Sequence, residues 1–190
     1  MSRLPSLHRD DLDDEGRDLY DLLLGSRRAK EGHQGPLPGP YNAWVYAPKI
    51  GRQLETLRVL LRNDMTLDRS LIELAIIVTG AYYRAEFEWW VHSAMARKNG
   101  VSPDIVDAIA RDEPPPLVTN EQRAVYSVAR QLAERGRVDD TAYSLARSVL
   151  GDRRMVELVT LCGYYALVSI TLNAFEVELP DGVAPQWNAP

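Results

Sequence analysis

The 190-residue chain has a single cysteine, Cys162, and only two phenylalanines. One thiol excludes an intramolecular disulfide and any C-x-x-C redox or zinc motif. Cys162 lies in the apolar run LVTLCGYYALV, where burial is the expectation. Basic charge is also short: 22 Lys and Arg face 27 Asp and Glu, a formal net charge of -5. Nucleic acids and anionic membranes both reward basic patches, so neither is expected as a partner. No basic segment leading into an apolar core opens the chain, and no unbroken apolar stretch reaches the roughly 18 to 20 residues of a bilayer span. A cytoplasmic protein is therefore expected. Strand signals are missing too, since no Asn-Gly hairpin sits between alternating segments and apolar positions mostly repeat at three and four.

What is present is helix punctuation, which predicts an all-α chain of about seven or eight helices. With 45% hydrophobic residues the length suits one domain with its own core. A first helix is expected over Asp10 to Leu24, with Leu12, Leu19, Leu22 and Leu23 as apolar contacts. EGHQGPLPGPY, from Glu31 to Tyr41, carries three Gly and three Pro and reads as a loop or arm. A second helix starts at Pro48, with Ile50, Leu54, Leu57 and Leu61 on one face, and ends at Asn63 and Asp64. Thr66 offers an N-cap for a third, running to about Gly80. The fourth spans Ala85 to Asn99, closed by Gly100, and Ser102 caps a short fifth. DEPPP, from Asp112 to Pro116, is an extended linker. Thr119 and Gln122 form a capping box for a sixth helix, which Gly136 ends. Two more cover Asp140 to Leu150 and Asp152 to about Phe175, the second apolar enough to be central or at a subunit interface. The core is placed at about 41–179, with residues 1–40 and 180–190 as arms.

Chemistry concentrates in ELAIIVTGAYYRAEFEWWVHSAMARKNG, from Glu73 to Gly100. On a helix, Ala85, Glu88, Trp89 and His92 fall within a narrow arc. His92 is the only histidine in strong helical sequence, since His8 and His33 sit in a terminus and the Gly/Pro loop. It reads either as a general acid/base or as a core histidine bonded to Glu88. Glu73 has Leu71, Leu74, Ala75, Ile76 and Ile77 around it, so ionising it there needs a partner; Arg69, one turn earlier, is the plain one. Arg84 could clamp a carboxylate or simply solvate a turn. Trp89, Trp90, Tyr82, Tyr83 and Phe87 suit core packing, and equally the walls around a planar unsaturated ligand. One nitrogen among carboxylates falls short of a persuasive zinc or iron site, and no metal or other cofactor is expected.

The order of these residues, a Glu, eleven residues, then A-x-x-E-x-x-x-H followed by a small-residue helix and G-V-S, resembles the carboxymuconolactone decarboxylase and alkylhydroperoxidase D superfamily. The resemblance runs from about Tyr41 to Leu179 and takes in GVSPDIVDAI (Gly100 to Ile109) and GYYALVSITLNAFEVELP (Gly163 to Pro180). In the peroxidase branch the matching helix carries C-x-x-C-x-x-x-H; Glu73 and His92 match, whereas Ala85 and Glu88 replace both cysteines. Peroxide reduction by that route needs a thiolate and a resolving thiol, so a peroxidase label would be inherited rather than mechanistic. The decarboxylase-like branch implies a lyase: cofactor-free acid/base chemistry, decarboxylation or isomerisation, on a small unsaturated carboxylated lactone. His92, Glu73 and Glu88 would be catalytic, and Arg84, Trp89 and Tyr83 would bind substrate. It also implies a homo-oligomer, a trimer, a multiple of it or a dimer. The competing reading is a non-catalytic oligomeric binding or scaffold protein of the same fold, with His92 structural.

Overall fold

The computed structural model describes residues 2–27 and 35–187; the expected loop's first residues, His33 among them, lie outside the described residues. Among those described, the structure is helical with no strand. The helices are α1 (Asp14–Arg27), α2 (Tyr41–Val45), α3 (Pro48–Asn63), α4 (Arg69–Tyr82), α5 (Glu86–Lys98), α6 (Pro103–Ala110), α7 (Asn120–Arg135) and α8 (Asp140–Ala174). A 3-10 turn at Arg9–Asp11 precedes α1.

The chain forms two compact units, residues 1–64 with 171–178 and residues 65–170 with 179–190. In the first, α1, α2 and α3 pack on one another, with Leu19, Tyr20 and Leu23 wholly buried and Leu22 exposed. Gly51 is where they come closest, since a Cβ there would stand 2.6 Å from Leu19 Cδ2 and 2.8 Å from the Trp44 carbonyl oxygen. Of the apolar face expected on α3, Leu61 is buried and Ile50 is exposed. Glu55, which carried no signal in the sequence, is buried and pairs both carboxylate oxygens with Arg58 at 2.7 Å.

In the second unit α4 is the central helix. It packs on α5, α6 and α7, and every residue from Leu71 to Gly80 is buried. A helix apolar all round is stable only when enclosed, which is what its neighbours supply. α7 begins with the expected capping box, Thr119 Oγ1 accepting from the Gln122 amide at 3.1 Å, and ends on Gly136 in the left-handed region at φ 67°.

Several boundaries differ from expectation. α1 starts at Asp14 rather than Asp10, because residues 9–11 form the 3-10 turn. α2 is a five-residue helix too short to show a period. Thr66 does not cap α4; its amide and hydroxyl are bound by Glu157 at 2.8 and 2.9 Å, and the extended residue before the helix is Asp68. Ser102 precedes α6 without a side-chain cap bond. The last two helices, by contrast, meet where expected: Gly151, with a φ of 76° and a ψ of 168°, is non-helical and separates them, and the pair is numbered together as α8. α8 is also long and apolar enough, by length and composition alone, to cross a membrane. Thr160, Ser169 and Thr171 break the apolar run and any 18-residue window of α8 takes in Glu157, so the helix holds no unbroken apolar stretch of that length; a core helix of a soluble fold meets the same criterion.

Candidate active site

Glu73 sits in the first half of α4 with no exposed surface. Because the surrounding turns are apolar, its carboxylate must be met from other helices or from the one nearby cation. Both occur. Glu73 Oε2 lies 2.7 Å from His92 Nδ1 on α5, and Oε1 lies 2.9 Å from Arg69 on its own helix. On the other side of the imidazole, His92 Nε2 lies 3.0 Å from Glu88 Oε1, one turn earlier on α5. The contacts of the two Oε1 atoms are ion pairs by distance but are not aligned as hydrogen bonds. The methylenes of Glu88 lie over Gly80 of α4, where no side chain stands in their way.

The result is a chain, Arg69–Glu73–His92–Glu88, buried at its last three members and half-buried at Arg69, with an imidazole held by a carboxylate at each nitrogen. Burial pushes the His92 pKa down, but the Glu88 charge, the hydrogen bond to Glu73 and the close approach of both carboxylates outweigh it and raise it from 6.5 to about 9. At neutral pH the ring is therefore imidazolium, and the cluster holds two positive and two negative groups. Charge balance is what lets three ionisable groups share this interior beside the half-buried Arg69. The edge of Tyr165, from α8, meets the His92 ring at a centroid distance of 5.1 Å.

The other expected site residues are placed differently. Arg84 is exposed at the α4–α5 turn with φ 48°. The Arg84 amide donates to the Ala81 carbonyl and the Ala85 amide to the Gly80 carbonyl, both at 3.0 Å. That pattern is a Schellman ending, whose left-handed position usually belongs to glycine. Arg84→Gly is expected to stabilise the protein by about 0.5 to 1 kcal/mol, read as a raised urea midpoint; a lowered midpoint would show that the guanidinium itself holds the turn. Tyr83 meets Tyr82 edge to face at 5.2 Å. Trp89 is buried against Trp187 of the C-terminal arm at 5.1 Å. That arm is docked: Glu86 accepts from the amides of Gln186 and Trp187 at 2.8 and 2.7 Å, and the Trp187 indole donates to the Ala110 carbonyl at 2.9 Å.

Arg69 weighed in the sequence only as a plain helical partner of Glu73, yet it anchors the cluster. Tyr165 had no signal stronger than core packing, because nothing local in α8 marks a residue that will meet α5. Cys162 is buried, and burial pushes its thiol up to about 12. Such a group is protonated and unreactive at neutral pH.

The carboxymuconolactone decarboxylase family model matches residues 48–131, taking in α4, α5 and the whole cluster. Over those residues the chain is similar to the carboxymuconolactone decarboxylase family, and its fold is the helical one of alkylhydroperoxidase AhpD-core proteins. Its fold is shared with an uncharacterized peroxidase-related protein with an alkylhydroperoxidase AhpD core from Ralstonia eutropha JMP134, at 17% identity, with 95% of this chain and 93% of that one covered and a TM-score of 0.75. An uncharacterized peroxidase-related protein from Silicibacter sp. TM1040 superposes at 15% identity, 93% and 91% coverage and a TM-score of 0.72. A protein of unknown function from Agrobacterium tumefaciens does so at 18% identity, 73% and 96% coverage and a TM-score of 0.65. No curated protein sequence matches the chain. At these identities the superpositions establish the shared fold, and the superfamily's chemistry has to be argued from the cluster.

Proposed function

We propose that this protein is a cytoplasmic enzyme of the carboxymuconolactone decarboxylase type, performing cofactor-free acid/base chemistry on a small unsaturated carboxylated lactone or a related compound. The observation that carries the reading is the buried imidazolium held between two carboxylates. Such a group stores a proton at neutral pH and has a defined route for giving it up.

In this reading Glu88, rather than His92, meets the substrate. With Glu73 on Nδ1 and Glu88 on Nε2, the imidazole has no free nitrogen to present. A proton leaving His92 must pass through a carboxylate. Glu73 is the more enclosed, its side chain 0% exposed and also held by Arg69, whereas the Glu88 side chain is 7% exposed. Glu88 is therefore the residue that hands the proton on, and His92 and Glu73 are positioning residues behind it.

In the decarboxylation, the bond from carbon to the departing carboxylate breaks and its electron pair moves into the conjugated carbonyl, leaving a dienolate. The Glu88 carboxylate takes the proton from His92 Nε2 and passes it to the dienolate carbon, which returns Glu88 to its carboxylate form, and solvent restores the proton to His92. One proton is taken up and one carbon dioxide leaves per turnover. Isomerisation would use the same parts without loss of carbon dioxide. The test is to incubate the purified protein with a carboxymuconolactone and follow lactone absorbance and carbon dioxide release from pH 6 to 10. Turnover that falls as the pH climbs through about 9 supports the reading; an absence of both decarboxylation and isomerisation across a panel of carboxylated lactones contradicts it.

A further inference from the structure

The carboxylate that would meet the substrate is shut in. Glu88 Oε1 is buried, and the His92 side chain behind it is 11% exposed. A substrate reaches Glu88 only if some element beside it moves. The helices of the cluster are poorly suited to this, because α4 and α5 pack on each other and α4 is buried from Leu71 to Gly80. The C-terminal arm is better suited. It lies in the same compact unit as the cluster, and Pro180, Asp181, Gly182, Ala184, Pro185 and Gln186 are all exposed. Its grip on the helices is at Gln186 and Trp187, through three hydrogen bonds and one indole ring. A segment with so little buried apolar surface opens locally at far lower cost than a core helix.

The place of that grip gives it a consequence. Glu86 and Glu88 share the first turn of α5, and the start of that helix carries no side-chain cap bond. Trp89, next to Glu88, is buried with Trp187 against it. The seat offers three acceptors, the two Glu86 oxygens and the Ala110 carbonyl, and the arm brings three N–H donors to them. A carboxylated ligand has acceptors where this seat needs donors, and it would face the Glu86 charge. The seat therefore suits the arm and not the substrate.

We propose that the C-terminal arm is a latch on the candidate site: Trp187 on Trp89 holds the first turn of α5 closed over Glu88, and release of the arm opens Glu88 to solvent and substrate. Glu86 and Trp187 are positioning residues in this device and touch no reacting atom. The effect on turnover rests on Glu88 as the proton carrier; the opening itself does not.

Hydrogen exchange reads the latch without any substrate. In the full-length chain, Trp187→Ala and Glu86→Gln should each speed solvent exchange of the His92 ring N–H protons by about tenfold or more, with unchanged circular dichroism. Trp187→Phe keeps a ring and loses the indole donor, so its rate should fall between those variants and the wild type. On a lactone that is turned over, Trp187→Ala should also lower the Michaelis constant by about three- to tenfold at constant kcat, the factor by which a closed form populated at about 70 to 90% weakens binding. Faster His92 exchange without turnover of any lactone supports the latch and overturns only the catalytic reading. An exchange rate that neither Trp187→Ala nor Glu86→Gln changes overturns the latch and leaves the arm a surface brace. A raised Michaelis constant in Trp187→Ala also overturns it, by making Trp187 part of the substrate site.

Discussion

Replacing Glu73 with Gln is expected to cost about 3 to 5 kcal/mol of stability, the usual loss when one member of a buried ion pair is removed. The reason is local. Glu73 touches both cations of the cluster, and without its charge Arg69 and His92 keep a single carboxylate between them. For a chain of this length the melting temperature should fall by on the order of 10 °C. The loss should shrink with rising pH. The folded-state pKa of His92, about 9, lies above its ordinary 6.5. The stability this imidazolium contributes is therefore fully present below pH 6.5 and disappears as the pH climbs through 9. Urea titrations of both proteins at pH 6 and pH 10 would measure this. A loss below about 1 kcal/mol at pH 6, or one equal at both values, would contradict a charge-balanced cluster.

The second large effect belongs to Glu88. If it passes the proton between His92 and the substrate, Glu88→Gln should lower turnover by about 10²- to 10⁴-fold, the range general acid/base groups contribute. The Michaelis constant should change little, because the amide keeps the size and much of the polarity of the side chain. The His92 pKa should fall in the same variant, since the Glu88 charge is the strongest influence raising it. A structural role alone would leave a folded variant with unaltered turnover; a binding role would raise the Michaelis constant at constant turnover. Steady-state kinetics on the substrate found by the lactone panel distinguishes these outcomes.

The sequence made part of this legible. Helix patterning announced the all-α fold, and punctuation at Thr119, Gln122 and Gly136 located α7, because caps act within a single turn and are written locally. The spacing of Glu73, Glu88 and His92 carried the superfamily resemblance, and the structure brings the three side chains together. The rest depended on contacts between residues far apart in the chain. Thr66 has the composition of a cap, but Glu157 binds it from 91 residues away. Trp187 reads as part of a tail that is either disordered or docked as an extended arm, and the bonds from Glu86 and Ala110 decide for docking. Arg84 invited a role in substrate binding through its charge, while its backbone shows a helix ending. Periodicity likewise marked α8 as apolar without saying which of its faces would be covered.

The most direct measurement is an NMR titration of the His92 ring in the wild type, Glu73→Gln and Glu88→Gln proteins. A pKa near 9 in the wild type, falling in each variant, is the predicted result. A wild-type value near 6.5 that neither substitution moves would contradict the two-carboxylate clamp, and with it the proton route through Glu88.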